Sequence, residues 1–368
     1  MRILHLIYDD LDNPWCGGGG SQRCWEINRR LARHHQITIA TGNFPGAKDE
    51  EKNGLRFIRV GSAKNYLLSR LSYTFGARYV IQKEDFDLLI DSFSAFAPTF
   101  SSFFTDKPKI LNFYHLLGSH ALIKYPLLGF FPFWAERYAS RSYKNIVVIS
   151  KSVQELLETK FKKERVYFSP TGFDSSLLDL PVGEENYLLY LGRLDIYMKG
   201  LDLLLEAFSS LSPRYPHLKL ILAGKSQKRD ARALAQLALQ NQISDQIEIL
   251  INLDEEQKKR LLSGCLFFCM PSRFEGWGIS AMEAAACGKA VVGSDIPGLR
   301  EAILQEKTGI LVRPSDPEAL SQAMLRLLED AEFRKELGLR AKERAREFSW
   351  DAIAREMERY YQRVLSEQ

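Results

Sequence analysis

Short apolar runs alternate with longer amphipathic stretches along the whole chain. In the first half RILHLIY, QITIAT, LRFIRV, DLLIDS, KILNFY, NIVVIS and RVYFSP predict strands. In the second half NYLLYLGRL, LKLILAG, QIEIL, CLFFCM, KAVVGS and GILV repeat the theme. Runs this continuously apolar, with helices between them, predict parallel sheets covered on both faces. The two halves also open alike. Residues 3–8 lead through acidic residues into Gly17-Gly18-Gly19-Gly20 and a helix starting near Ser21; residues 187–192 lead through Arg193 into Lys199-Gly200 and a helix at LDLLLEAFSSL. Each resembles the first β-loop-α unit of a Rossmann-like domain. The predicted fold class is therefore α/β, with two Rossmann-like domains whose parallel sheets face a central cleft, the expected place for a ligand.

The expected boundaries are a first domain over 1–173, a linker over 174–186 and a second domain over 187–351. Pro181, Gly183 and the lack of a clear period mark the linker. After Trp350, DAIAREMERYYQRVL predicts an amphipathic helix. The 368 residues suit two domains better than one core. With 45% hydrophobic and 26% charged residues the composition is that of an ordinary globular protein. A net charge of +4 from 50 basic and 46 acidic side chains gives no footprint for nucleic acid. Cys16, Cys24, Cys265, Cys269 and Cys287 form no C-x-x-C pair, which argues against a disulfide framework or a zinc site and for a cytoplasmic location. The start of the chain turns acidic straight after a short apolar strand, unlike a signal peptide, and no run is long enough to span a bilayer.

The chemistry concentrates in PSRFEGWGISAMEAAACGKAVV. Glu275 sits in a glycine-rich turn and Glu283 lies about a turn inside the following helix, so two carboxylates flank the amides of Gly276, Trp277, Gly278, Ile279 and Ser280. Carboxylates accept from hydroxyls, and amides opening a helix receive phosphate or sugar oxygens. A nucleotide sugar combines both features. An acidic residue near a helix start is also common simply because it complements the macrodipole. Arg193 and Lys199, in GRLDIYMKG, share one loop from which both could reach a diphosphate; taken alone they read as solvated cations. The glycine run gives its loop freedom to approach a ligand. His115 follows a predicted strand at the carboxyl edge of a parallel sheet, the side where ligands bind.

These motifs together resemble the retaining GT-B glycosyltransferases of family four. The resemblance runs from PS through E-G-x-G and M-E-A-x-A-x-G to V-V, E-A-I and T-G-I-L-V, and includes the G-R…K-G element. It implies an EC 2.4-type transferase that moves a sugar from a UDP- or GDP-sugar to a hydroxyl of a glycan, lipid-linked or small-molecule acceptor. Glu275 would hold sugar hydroxyls, Glu283 the ribose, and Arg193 with Lys199 the diphosphate. Gly18 and Gly19 would lie over the donor phosphates, and His115 close to the transferred sugar, with His120 a weaker candidate. The final helix would pack back on the first domain. The implied mechanism is a front-face substitution in which the leaving phosphate takes the acceptor's proton, rather than the two-carboxylate scheme of glycosidases. Two departures, Lys225-Ser226 after LKLILAG and Thr171-Gly172 at the end of the first domain, put the base and the sugar in doubt but not the fold.

The D-x-D pairs Asp10/Asp12 and Asp85/Asp87 are the pattern of metal-dependent transferases, but neither adjoins this nucleotide site, so no metal and no other cofactor is expected. Epimerases and phosphorylases of the same fold are alternatives, as is an NAD-binding oxidoreductase, although no G-x-G-x-x-G follows either first strand. Residues 64–83 mix apolar side chains with Lys64, Arg70, Arg78 and Lys83, and residues 122–134 look exposed but are very apolar. They read either as core helices with basic edges or as a peripheral face for anionic membrane.

Overall fold

The structure is a computed structural model that describes residues 1–114, 130–225 and 228–367, with only the backbone of Lys228 and Arg229. The chain divides into two compact units, Met1–Thr171 with Trp350–Gln368, and Gly172–Ser349.

The first unit holds an eight-stranded sheet in the order β3-β4-β2-β1-β5-β6-β7-β8. Its strands are β1 Arg2–Ile7, β2 Gln36–Gly42, β3 Glu50–Lys52, β4 Leu55–Val60, β5 Leu88–Ser92, β6 Lys109–Phe113, β7 Asn145–Val148 and β8 Val166–Phe168. Every pairing is parallel except β3 with β4. Alternate residues of β1 serve opposite faces. Ile3 and Ile7 join Cys24, Ile27 and Leu31 of the helix Gly19–Leu31, whereas Leu4 and Leu6 join Tyr73, Val80 and Ile81 of the helix Tyr66–Lys83. The β3 strand, EEK, went unpredicted because it has no apolar residue. It pairs as a charged edge, a form that discourages further strand addition.

The helix Trp350–Ser366 closes the first face. Trp350, Ile353, Ala354, Met357, Tyr360, Tyr361 and Val364, spaced three and four apart, enter the same core as Ile3 and Ile27. Arg30 meets Asp351 at 2.8 Å, His35 meets Glu358 at 2.6 Å, and Tyr360 stacks on Tyr167 at 4.4 Å.

The second unit holds six parallel strands in the order β11-β10-β9-β12-β13-β14. They are β9 Tyr187–Leu191, β10 Lys219–Gly224, β11 Ile247–Ile251, β12 Phe268–Met270, β13 Val291–Ser294 and β14 Gly309–Val312. The segment 174–186, expected as a linker, lies inside this unit. Leu177 is buried, the Gly183 amide donates to Ser263 O at 3.0 Å, and Glu184 receives Arg334 in a bidentate pair at 3.0 and 2.9 Å. Pro181 and Gly183 break the period, but the backbone still finds partners. The helix expected near Ser21 begins two residues earlier, because the Ser21 hydroxyl accepts from the Gly18 amide at 3.0 Å and donates to Gly18 O at 2.9 Å.

Trp350 is fully buried, so Trp350→Ala should cost about 3–5 kcal/mol. Urea unfolding followed by circular dichroism measures it, and a change under about 1 kcal/mol would mean that the terminal helix adds little to this core.

Candidate functional site

In the second unit the strand order reverses at the boundary between β9 and β12: β10 and β11 follow β9 on one side, and β13 and β14 follow β12 on the other. Connections leaving the carboxyl ends of two such strands diverge and leave a crevice, the usual ligand position in open α/β sheets. The loop after β9 carries Arg193 and Lys199; the loop after β12 carries Glu275.

The two loops are held together by backbone contact. Gly200 has a positive φ of 66°, and a Cβ there would stand 2.1 Å from Pro271 O, so only glycine allows this approach. The Arg273 amide donates to Met198 O at 3.0 Å. The Arg273 guanidinium clasps Asp202 at 2.8 and 2.7 Å, donates to Tyr197 O at 2.8 Å and covers the Tyr197 ring. As a result Lys199 Nζ and Glu275 Oε2 lie 2.5 Å apart, both side chains largely buried. Glu275 Oε1 also accepts from the Gly276 amide at 3.2 Å. Arg193 is exposed and has no ion pair among the described residues; its carbonyl, held by the Tyr190 hydroxyl at 2.8 Å, fixes only its backbone.

The helix Ile279–Ala286 starts at Gly278, which has φ 80° and stands where a Cβ would strike Leu299. Ile279 and Ser280 are the first two residues of this helix, so their amides open it without intrahelical partners. The Trp277 side chain is buried and its ring packs 5.7 Å from that of Phe348, which leaves only its backbone for a ligand.

Glu283 is only 4% exposed, in a helix whose residues 281–286 are all buried. It receives Lys258 Nζ at 2.7 Å, from the helix Glu255–Gly264. Burial pushes the Glu283 carboxyl up, and Lys258 pulls it back. Burial also acts against the ammonium of Lys258, but the Glu283 carboxylate outweighs it and holds the lysine above its ordinary value. Glu255 and Asp174 add negative potential on the same side. Lys258 was not singled out in the sequence because EEQKKR reads as a solvated charged face; only the fold turns one of its two lysines inward.

Gly18 and Gly19 lie in the first unit, exposed at the carboxyl end of β1, with open space beside Gly18. The switch point of that sheet lies between β1 and β5. His115 and His120 fall outside the described residues. Just before them, Tyr114 and Asn112 reach the Ser92 hydroxyl at 3.0 and 3.3 Å. Ser92 also meets His5 Nε2 at 2.9 Å, and His5 Nδ1 meets Asn28 at 2.8 Å. Burial lowers His5 to about 4, so this histidine is a neutral member of a core network. The D-x-D aspartates have other partners. Asp10 is buried against Arg59, Asp12 faces Lys52 at 3.7 Å, and Asp85 and Asp87 both hold Arg2.

Two family models match the chain: Glycosyltransferase Family 4 over residues 17–177 and Glycosyl transferases group 1 over residues 179–344. The chain belongs to the group 1 glycosyltransferases of GT-B fold and is a transferase enzyme. An uncharacterized glycosyltransferase of Methanocaldococcus jannaschii is 27% identical over 369 residues, 99% of either chain. A phosphatidyl-myo-inositol mannosyltransferase of Mycolicibacterium smegmatis is 29% identical over 192 residues, 52% of this chain and 48% of its own length. Among solved structures, sucrose-phosphate synthase of Thermosynechococcus elongatus superposes with a TM-score of 0.84 at 22% identity over all of both chains. WaaG, a glycosyltransferase involved in lipopolysaccharide biosynthesis, gives 0.78 at 15% identity over 98% of this chain and 99% of its own. These likenesses are of fold.

Lys258→Met should destabilise the second unit by leaving the Glu283 carboxyl unpaired. The cost is up to about 3–5 kcal/mol for a buried pair, reduced here because the lysine side chain keeps 21% exposure. Without its lysine, Glu283 titrates higher folded than unfolded, so the loss is smallest in acid and grows as pH rises through that interval. Urea midpoints across pH measure this, and Lys258→Met/Glu283→Gln should recover most of the stability. A pH-independent loss with no recovery would show that the lysine acts through packing alone.

Proposed function

We propose that this glycosyltransferase moves a sugar, with retention, from a UDP- or GDP-sugar to a hydroxyl of a carbohydrate or lipid-linked acceptor, without a metal ion. The observation that carries the reading is the Lys199–Glu275 pair at the β9/β12 switch point, beside the free amides of the helix Ile279–Ala286. A nucleoside diphosphate sugar presents a double anion next to a ring of hydroxyls. A lysine, an exposed arginine and helix-opening amides suit the first; two carboxylates suit the second. A relative named a mannosyltransferase, and a structural neighbour, Anabaena HepE, solved with UDP-glucose, are consistent with such a donor.

On this reading Arg193, Lys199 and the amides of Gly276 to Ser280 receive the diphosphate. Glu275 holds sugar hydroxyls and Glu283 the ribose. The bond from the anomeric carbon to the phosphate oxygen breaks as the acceptor oxygen bonds to the same face. The acceptor's proton passes to the departing phosphate oxygen. Fixed cations stabilise the charge that grows there, the task a metal performs in other transferases. Epimerase, phosphorylase and NAD-dependent readings are not favoured, because they leave the paired glutamate and cation elements without a task.

Thermal-shift and donor-hydrolysis screens of UDP- and GDP-sugars should find stabilisation and slow turnover that persist with EDTA. Stabilisation by NAD alone would overturn the donor class, and loss in EDTA with rescue by manganese would overturn metal independence. Glu275→Ala should lower kcat by about 10²–10³-fold with the fold intact, and Arg193→Ala should chiefly raise the donor KM. Normal rates in both variants would place the donor elsewhere.

A further inference from the structure

The helix Tyr66–Lys83 turns large apolar side chains in both directions. Inward it buries Ser69, Tyr73, Ala77, Val80 and Ile81. Outward, at four-residue spacing, it carries Leu67, Leu71, Phe75 and Tyr79, with Phe75 78% and Tyr79 65% exposed. A helix packed on one side normally shows water a polar face, and a contiguous apolar face marks a contact surface. The turn Ser101–Phe103 packs against this helix and extends the surface. Exposed Phe103 stacks on Tyr138 at 4.9 Å, and Tyr138 in turn stacks on exposed Trp134 at 5.8 Å.

The charge of the same segment is one-sided. Residues 61–83 contain Lys64, Arg70, Arg78 and Lys83 and no carboxylate. Arg70 is drawn in over the rings of Tyr8 and Tyr66, which leaves Lys64, Arg78 and Lys83 exposed around the apolar ridge. The next acids along the chain, Glu84 and Asp85, are taken by Arg56 and by Arg2.

We propose that this face seats the protein on an anionic lipid bilayer. Leu71, Phe75 and Tyr79 enter the boundary between headgroups and acyl chains, and Lys64, Arg78 and Lys83 meet lipid phosphates. A bilayer offers both halves of the match at once, an apolar layer directly beneath a negative one. A second copy of the chain does not: a two-fold contact through this face sets cations against cations with no carboxylate between them. The attachment is peripheral, since no described helix is long and apolar enough to cross a membrane. It goes beyond the donor reading and suits an acceptor that resides in lipid.

Flotation of the full chain with vesicles of phosphatidylcholine, with and without phosphatidylglycerol, tests the proposal. Binding is expected to anionic vesicles at low salt and to weaken at high salt. Leu71→Ser/Phe75→Ser should lower partitioning by at least about tenfold. Lys64→Gln/Arg78→Gln/Lys83→Gln should lower it by a similar factor and erase the preference for anionic lipid. All five positions are exposed, so melting temperatures should not move. Failure to float with anionic vesicles at low salt, or unchanged binding by the variants, would overturn the proposal. So would a dimer, measured by light scattering, that the Leu71/Phe75 variant dissolves while vesicles are ignored. Vesicle binding needs no donor, so its failure and failure of the donor assay are separate results.

Discussion

The close approach of Gly200 to Pro271 is the constraint on which the candidate donor site depends. Two crossover connections leave β9 and β12 in opposite directions, and only a residue without a Cβ lets their backbones touch at the point of divergence. Lys199 immediately precedes that contact, and Glu275 follows four residues after it, so their meeting is a consequence of backbone packing. Arg273 braces the arrangement by tying the second loop to Asp202 on the helix that begins after Gly200. A β-carbon at position 200 would therefore act on the ion pair without touching either charge.

In the first unit, the sheet has two apolar faces and both need cover. Ile3 and Ile7 look one way and Leu4 and Leu6 the other, so the helices Gly19–Leu31 and Trp350–Ser366 share one face while the helix Tyr66–Lys83 lies over the other. The terminal helix has a narrow apolar stripe and a charged back, and it buries the stripe. The helix Tyr66–Lys83 is apolar on both sides, and among the described residues intramolecular packing buries only one of them.

How legible each part was in the sequence follows from how local its cause is. Parallel strands announce themselves because burial on both faces forces continuous apolar runs, as in YLLYL of β9 and LILA of β10. The EEK strand has no such pattern, since an edge pairing needs only a neighbour with free backbone groups. The stretch 174–186 read as a linker because its irregular backbone is satisfied by residues far away in sequence, Ser263 and Gly264. The glutamates and the G-R…K-G element were visible as motifs, whereas the partner of each glutamate was not. Lys258 lies 25 positions before Glu283 in a helix that looks solvated.

Both glutamates carry a lysine, and that bears on what they can do. Glu275 lies 2.5 Å from one ammonium and Glu283 2.7 Å from another, so each carboxylate already has a charged hydrogen-bonding partner and neither is bare. Buried pairs of this kind contribute little to stability, because desolvation offsets most of their attraction. A glycosidase-like couple would need one carboxyl protonated and the other bare. A donor diphosphate instead brings its own charge to Lys199, and in the proposed complex the lysine exchanges one anion for another while Glu275 turns to the sugar hydroxyls. The charge count of the crevice then changes only by that of the donor.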